Sequence, residues 1–320
     1  MRRILLLVNS LFKLRGAREL PQILQVFETA GVDVEVQESG IDRAAGAKAK
    51  LAIEHGVDTI IVCGGDGTVF DVLQGVAGSD IPLGILPFGT GNILAQNLKI
   101  PNKPVDAAHW LLAAEPQPVP IGKIVCCTPT GKQTWFFAMA AGMGLHAAMM
   151  EAVQPDQKNR MGRAAYFSAG LEILISRPIQ SFDLEITTIN GKLIQRQASE
   201  VIAVRVEELN LWAPGGSLDF PFLRLASVEG ESRWHLAKAA FQALFLGAGK
   251  RNRQTKEHAA ARYEDVLRVV CKPIQGRTYR APIPIEADGE VLGASCATIE
   301  MAGLNVRLLS CSKKGAVSIR

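Results

Sequence analysis

The sequence is poor in several features that would commit it to a class. Its six cysteines, at 63, 126, 127, 271, 296 and 311, include no C-x-x-C pair and stand near no histidine cluster. A zinc site is therefore not expected, and the thiols read as small buried residues of a reduced, cytoplasmic protein. There is no long apolar run: Met1-Arg-Arg-Ile-Leu-Leu-Leu-Val stops at Asn9, too short for a spanning helix or a signal peptide. Nor is there a large excess of one charge. The formal net charge of +4, from 35 Lys and Arg against 31 Asp and Glu, argues against a nucleic-acid partner and is compatible with an anionic membrane surface. After the first apolar strand, Ile4 to Val8, no dinucleotide glycine fingerprint follows, which disfavours nicotinamide chemistry. No internal repeat or low-complexity tract occurs. What remains, 48% hydrophobic and 21% charged over 320 residues, is an ordinary globular composition with length for two domains.

The informative stretch is Asp58 to Asn97, DTIIVCGGDGTVFDVLQGVAGSDIPLGILPFGTGNILAQN. Thr59 to Cys63 is an apolar, β-branched run of the kind buried on both faces of a parallel sheet. Gly64-Gly-Asp-Gly67 breaks it, and glycines let successive N–H groups approach one anion. Val69, Phe70, Val72, Leu73, Val76 and Ala77 then recur at helical spacing, and Thr68 with Asp71 predicts a capping box. Phosphate would thus lie at a helix N-terminus. Asp66 is the odd member, because a carboxylate beside phosphate repels it unless a metal ion or a hydroxyl donor lies between them. The pattern repeats at once: strand Ile81 to Leu86, turn Pro87-Phe-Gly-Thr-Gly-Asn92, helix Ile93 to Leu98, with Thr90 and Asn92 as polar groups near the second turn.

GGDGT followed by PFGTGN and LAQNLKIP closely resembles the catalytic domain of diacylglycerol kinases and related lipid kinases. Sphingosine kinases are related, and NAD kinases and phosphofructokinases share only the GGDG turn. The resemblance implies a three-layer α/β domain with a parallel sheet over residues 1–120 and a returning segment near 304–312. A β-rich, sandwich-like second domain on the lipid-substrate side would span 121–303. The alternation of strand and helix up to Pro116, Pro118 and Pro120, the proline-rich boundary, agrees with this division. Beyond it, hairpins are predicted around Pro129 to Lys132 and around Asn190-Gly191. FFAMAAGMGLHAAMM and GRAAYFSAGLEIL resemble the opening of the second domain and its long helix. His146 in that stretch reads as a packed residue.

The resemblance also assigns roles. Asn9, Ser39, Gly64, Gly65, Gly67, Thr68, Gly89, Thr90 and Asn92 would contact ATP. Asp66 and Glu290 would engage Mg2+, directly or through water. Asp288, in the Asp-Gly-Glu of IPIEADGEVL, would accept the proton of a lipid hydroxyl. Asp66 would join it in the chemistry. The reaction would be ATP-dependent phosphorylation of a diacylglycerol-like lipid. An NAD kinase-like enzyme with a soluble substrate, or a non-catalytic nucleotide or lipid binder of the same fold, is the alternative. Three departures stand out: Ile93 where relatives often have an acid, Asp71 where glutamate is common, and Asp219-Phe220-Pro221-Phe222 in place of Asp-Asp-Gly-Leu. The last puts a structural metal in doubt. A lipid kinase without a spanning segment would dock transiently at the inner face of the membrane. Trp234 to Lys256 is the candidate surface, with Leu236, Ala240, Phe241, Leu244 and Phe245 on one helix face and Lys250, Arg251, Arg253 and Lys256 beyond.

Overall fold

The computed structural model describes residues 3–10, 18–40, 43–128, 131–152, 172, 173, 175–209, 214–238 and 261–310. The chain divides into two compact units, Met1–Val119 with Leu304–Arg320, and Pro120–Gly303.

In the first unit the apolar runs form a parallel sheet. Strands β1 (Arg3–Asn9), β2 (Asp33–Ser39), β3 (Thr59–Gly64) and β4 (Pro82–Pro87) lie in the order β4-β3-β1-β2. Residues Arg307 and Leu308 pair in parallel with Pro82 and Leu83 to extend it. All of β3 is buried, as an unbroken β-branched run demands of a sheet covered on both faces. Helices α1 (Glu19–Thr29), α2 (Ala45–Glu54), α3 (Asp66–Val76), α4 (Ile93–Asn97) and α5 (Pro104–Ala113) connect the strands. The chain steps one way from β1 to β2 and the other way from β2 through β3 to β4. With right-handed crossovers, α1 falls on the opposite face from α2 and α3. α1 packs with α5 and α2 with α3, completing three layers. The switch of direction lies between β1 and β3, and open α/β sheets bind ligands outside the carboxyl ends of strands at such a point.

α2 and α3 meet backbone to backbone. A Cβ on Gly75 would strike the carbonyl of Gly46, and one on Gly46 would come within 2.5 Å of the Asp71 carbonyl. Asp71 also accepts the Ala45 N–H at 2.8 Å. This corrects the expected capping box: α3 starts at Asp66 with Gly65 as its cap and no side-chain cap bond, and Asp71 serves the neighbouring helix. Thr68 is buried within the first turn.

The second unit is mostly antiparallel sheet. Its elements are β5 (Glu115–Thr128), β6 (Gly131–Phe137), β7 (Ala140–Met143), α6 (Leu145–Ala152), β8 (Phe182–Thr188), β9 (Leu193–Ala198), β10 (Glu200–Val204), β11 (Leu223–Val228), β12 (Arg262–Lys272), β13 (Pro284–Ala287), β14 (Glu290–Ala294) and β15 (Ala297–Ser310). β5 and β15 each run past the limits of the unit. The order is β14-β13-β7-β10-β11-β12-β15, with β5 paired to β6 and β8 paired to both β9 and β12. The two expected hairpins form as β5 with β6 and β8 with β9. The prolines at 116, 118 and 120 lie inside β5 and not in a loop.

The reading of every cysteine as a reduced thiol is corrected for one pair. Cys127 and Cys296 form a disulfide with Cα atoms 5.5 Å apart, across 169 residues of sequence. Cys127 donates its backbone N–H to the Cys296 carbonyl, an adjacency that sequence spacing cannot reveal. Cys63, Cys126 and Cys271 are free and buried. Most of the expected long helix at GRAAYFSAGLEIL, and residues 239–256 of the expected docking stretch, lie outside the described residues. Among the described residues no helix is long and apolar enough to cross a membrane.

Candidate active site

The glycine turns are tied together by side chains of the motif itself. β3 ends at Gly64, whose carbonyl accepts the Phe88 N–H at 3.0 Å, so the two turns start in register. Gly65 and Gly89 lie in backbone contact: a Cβ on Gly89 would stand 2.5 Å from the Gly65 Cα. Asp66, at the head of α3, reaches the second turn, where its Oδ2 accepts the Ile93 N–H at 3.1 Å and its Oδ1 the Leu94 N–H at 3.3 Å. The carboxylate thereby caps α4 and favours its N-terminal dipole. Asn92 sits at φ +48°, a conformation asparagine tolerates. Its side chain closes the second turn, accepting the Gly89 N–H and donating to the Gly89 carbonyl, both at 2.8 Å.

Asn9 Nδ2 donates to Thr68 Oγ1 at 2.7 Å, joining the end of β1 to the first turn of α3. A Cβ on Gly64 would lie 2.7 Å from that same hydroxyl. Asn9 pairs in register with Ser39, so Asn9, Ser39 and Gly64 all stand at the carboxyl edge of the sheet. Ser39 is only 1% exposed, and its hydroxyl has no partner among the described residues. Gly67 lies in the first turn of α3, and Thr90 is exposed at the tip of the second. Unit one thus brings every expected nucleotide contact to one edge, with Asn92, Thr68 and Asp66 visibly holding the turns in shape.

In the second unit Asp288 and Gly289 form the β13–β14 turn, both with positive φ, +48° and +86°, as a type I′ hairpin requires. The Asp288 side chain is 8% exposed. Its Oδ2 accepts the Ala138 N–H at 2.8 Å, and its Oδ1 accepts those of Met139 at 2.8 Å and Ala140 at 2.9 Å. Burial pushes its pKa up, the three N–H donors pull it back and Glu286 adds a smaller push, leaving it at about 7. Glu290 opens β14, partly exposed.

Sequence reasoning missed the charges around this turn. His146 is an ion-paired residue and not merely a packed one. Its Nδ1 bonds Glu200 Oε1 and its Nε2 lies 3.0 Å from Glu286 Oε1. Burial alone would lower its pKa, but Glu200 and then Glu286 override that and raise it to about 10. Glu286 Oε2 accepts the Gly289 N–H at 2.8 Å. Arg205 is fully buried and donates to the carbonyls of Pro120, Leu218 (2.8 Å) and Phe220 (3.4 Å). The unusual Asp219-Phe220-Pro221-Phe222 segment is therefore tied by a guanidinium, with its two phenylalanine rings stacked at 4.7 Å. Burial lowers the Arg205 pKa to about 10, opposed by Asp288 and Asp219. A signal was available: Glu200 and Arg205 bracket Val201-Ile-Ala-Val204, and charges at the ends of a fully apolar strand are rarely idle. Among the described residues no three His, Cys, Asp or Glu side chains gather as a metal-holding group.

Residues 3–124 match the family model for the diacylglycerol kinase catalytic domain. The chain is 32% identical to the diacylglycerol kinase of Bacillus subtilis over 181 residues, 56% of each protein. It is 36% identical to that of Mycobacterium tuberculosis over 155 residues, 47% of this chain and 48% of the relative. The chain thus spans about half the length of these curated relatives. A solved diacylglycerol kinase structure from Bacillus anthracis superimposes with a TM-score of 0.66 at 19% identity, covering 97% of both chains, a likeness of fold. Residues 3–124, which carry the paired glycine turns, are thus similar to the catalytic domain of diacylglycerol kinases.

Proposed function

We propose that the protein is an ATP-dependent lipid kinase that transfers the terminal phosphoryl group of ATP to the hydroxyl of a diacylglycerol-like lipid. The observation that carries the reading is the pair of glycine turns at the carboxyl edge of the sheet, the first beside its switch point, bridged by Asp66 and with the second closed by Asn92. Side chains are excluded at Gly64 and Gly89, so backbone N–H groups can close on phosphate oxygens there. Gly64, Gly65, Gly67, Thr68, Gly89 and Thr90 hold the nucleotide in this reading, with Asn9 and Ser39 at the neighbouring strand ends.

A kinase of this kind uses Mg2+, which binds through one or two carboxylates together with substrate phosphates. Asp66 fits that use by its chemistry and place: it is a carboxylate at the head of α3 whose oxygens face the second glycine turn. Asp66 would hold the ion, whose charge would offset that building on the transferred group. Asp288 takes the acceptor side, orienting the lipid hydroxyl and receiving its proton. Its pKa of about 7 suits a base far better than an ordinary carboxylate's does. The substrate's acyl chains stay in the bilayer, so the protein would work at a membrane surface, with exposed Trp234 in the candidate docking stretch. Incubation with labelled ATP, Mg2+ and a panel of lipid alcohols, with NAD as the soluble control, tests the reading. Label in a lipid alcohol is expected. Label in NAD alone, or nucleotide binding without any turnover, would overturn it.

A further inference from the structure

The described cluster with no part in the mechanism is Glu200, His146 and Glu286, and its placement in the sheet points to a purpose. Strands β13, β7 and β10 are neighbours, with Glu286 opposite Gly142 and Val201 opposite Met143. Glu286 therefore comes from the strand on one side of β7, and Glu200 from the strand on the other. His146 enters from α6 and lies over the glycine between them: a Cβ on Gly142 would stand 2.6 Å from the His146 Cε1. Gly144, at φ +132°, likewise leaves space for Glu200, whose Oε2 lies 2.7 Å from where its Cβ would be. That oxygen accepts the Leu145 N–H at 2.5 Å and the His146 N–H at 3.3 Å, so Glu200 caps α6 and holds the ring of its second residue at once.

With a carboxylate at each ring nitrogen, the imidazole donates at both and is protonated. The chain of contacts then runs from Glu200 through His146 to Glu286, and from Glu286 Oε2 to the Gly289 N–H. Gly289 is the second residue of the turn whose first residue, Asp288, is held by the amides of residues 138–140. Two side-chain systems therefore grip the same two-residue turn from opposite ends. A type I′ turn with free amides would not need the second grip.

We infer that His146, clamped by Glu200 and Glu286 across three strands, is a positioning residue that fixes the Asp288–Gly289 turn for proton acceptance. The inference rests on the lipid-kinase reading for its consequence, but its structural half stands apart from it. The test combines hydrogen exchange with kinetics on the full chain. In His146→Gln, exchange of the 284–292 backbone should rise about tenfold, as expected for losing a charge-assisted hydrogen bond, and that of the 182–198 hairpin should not change. The kcat for lipid phosphorylation should fall about tenfold with the KM for ATP unchanged, because the turn serves the acceptor and not the donor. Glu200→Gln, which keeps an acceptor for the Leu145 and His146 amides, should be affected less. If His146→Gln does not fold, Glu286→Gln is read by the same two measurements.

Unchanged exchange at 284–292 would overturn the proposal. So would an equal rise in the 182–198 hairpin, since that marks a general loss of stability. Failure of the wild type to phosphorylate any lipid alcohol would sink the kinase reading, and the exchange data would still decide whether the clamp holds the turn.

Discussion

Replacing Asp66 would separate the bridge it forms between the turns from the chemical role proposed for it. Its carboxylate accepts N–H bonds from Ile93 at 3.1 Å and Leu94 at 3.3 Å. Hydrogen bonds to a charged group contribute about 1.5–3 kcal/mol each, and lengths beyond the usual 2.9–3.0 Å put this pair near the lower figure. Asp66→Ala loses both and leaves the head of α4 uncapped, so unit one should lose about 3 kcal/mol. Asp66→Asn keeps one acceptor oxygen but turns an NH2 group toward the other amide, so its loss should be about 1–2 kcal/mol. Against a typical total stability of about 5–15 kcal/mol, the asparagine variant stays folded. Any fall in its turnover must then come from chemistry, and removing a group that stabilises transferring charge lowers kcat by about a hundredfold or more. Urea melts followed by circular dichroism give the stabilities, and labelled-ATP assays on the folded fraction give turnover. Normal specific activity in folded Asp66→Asn would refute the chemical duty. Equal stability of the alanine, asparagine and wild-type proteins would refute the bridge.

Four further outcomes are expected. Asp288→Ala strands the buried N–H groups of Ala138, Met139 and Ala140, at about 1–3 kcal/mol each; thermal melts should show a loss of several kcal/mol, with lipid phosphorylation abolished and calorimetric ATP binding retained. His146 has a folded-state pKa of about 10 against an ordinary value of 6.5, so its stabilising contribution is complete below pH 6.5 and is lost as pH rises through 10; the stability gap between wild type and His146→Gln, at most about 5 kcal/mol, should therefore close over that interval, and a gap that is flat in pH would refute the assignment. Gly75→Ala should destabilise unit one by about 1–3 kcal/mol through overpacking against Gly46, read by urea melts. Replacing Lys250, Arg251, Arg253 and Lys256 by Gln should weaken sedimentation with anionic vesicles, each basic residue near the surface being worth about 1 kcal/mol; an unchanged bound fraction at low salt would sink docking through this stretch.

The first unit was largely legible because its information is local. An apolar β-branched run, a glycine break and a 3.6-residue repeat fall in sequence within Thr59 to Val76, and a strand and a helix form in that order, the helix starting at Asp66, ahead of the predicted Thr68. The capping box misled because Thr68 and Asp71 have the right spacing but other partners, Asn9 and Ala45, which come from far along the chain. The same reason hid the clamp around Asp288. Glu200, His146 and Glu286 are separated by 54 and 140 residues, and only strand order makes them neighbours. The Asp-Gly signal did announce the hairpin, but nothing local says that Asp288 turns inward to bind residues 138–140.

The close contact of Gly46 with Gly75 bears on what nucleotide binding has to do. A surface turn that must organise around its ligand loses conformational freedom at the moment of binding, and affinity falls accordingly. Here the helix that follows the first turn packs directly on α2, with backbone in contact at Gly46 and Gly75, and its Asp71 accepts the α2 amide of Ala45. Such packing braces the start of the turn without help from a ligand. A phosphate group seating there, as proposed above, would then gain its contacts with less ordering to oppose them.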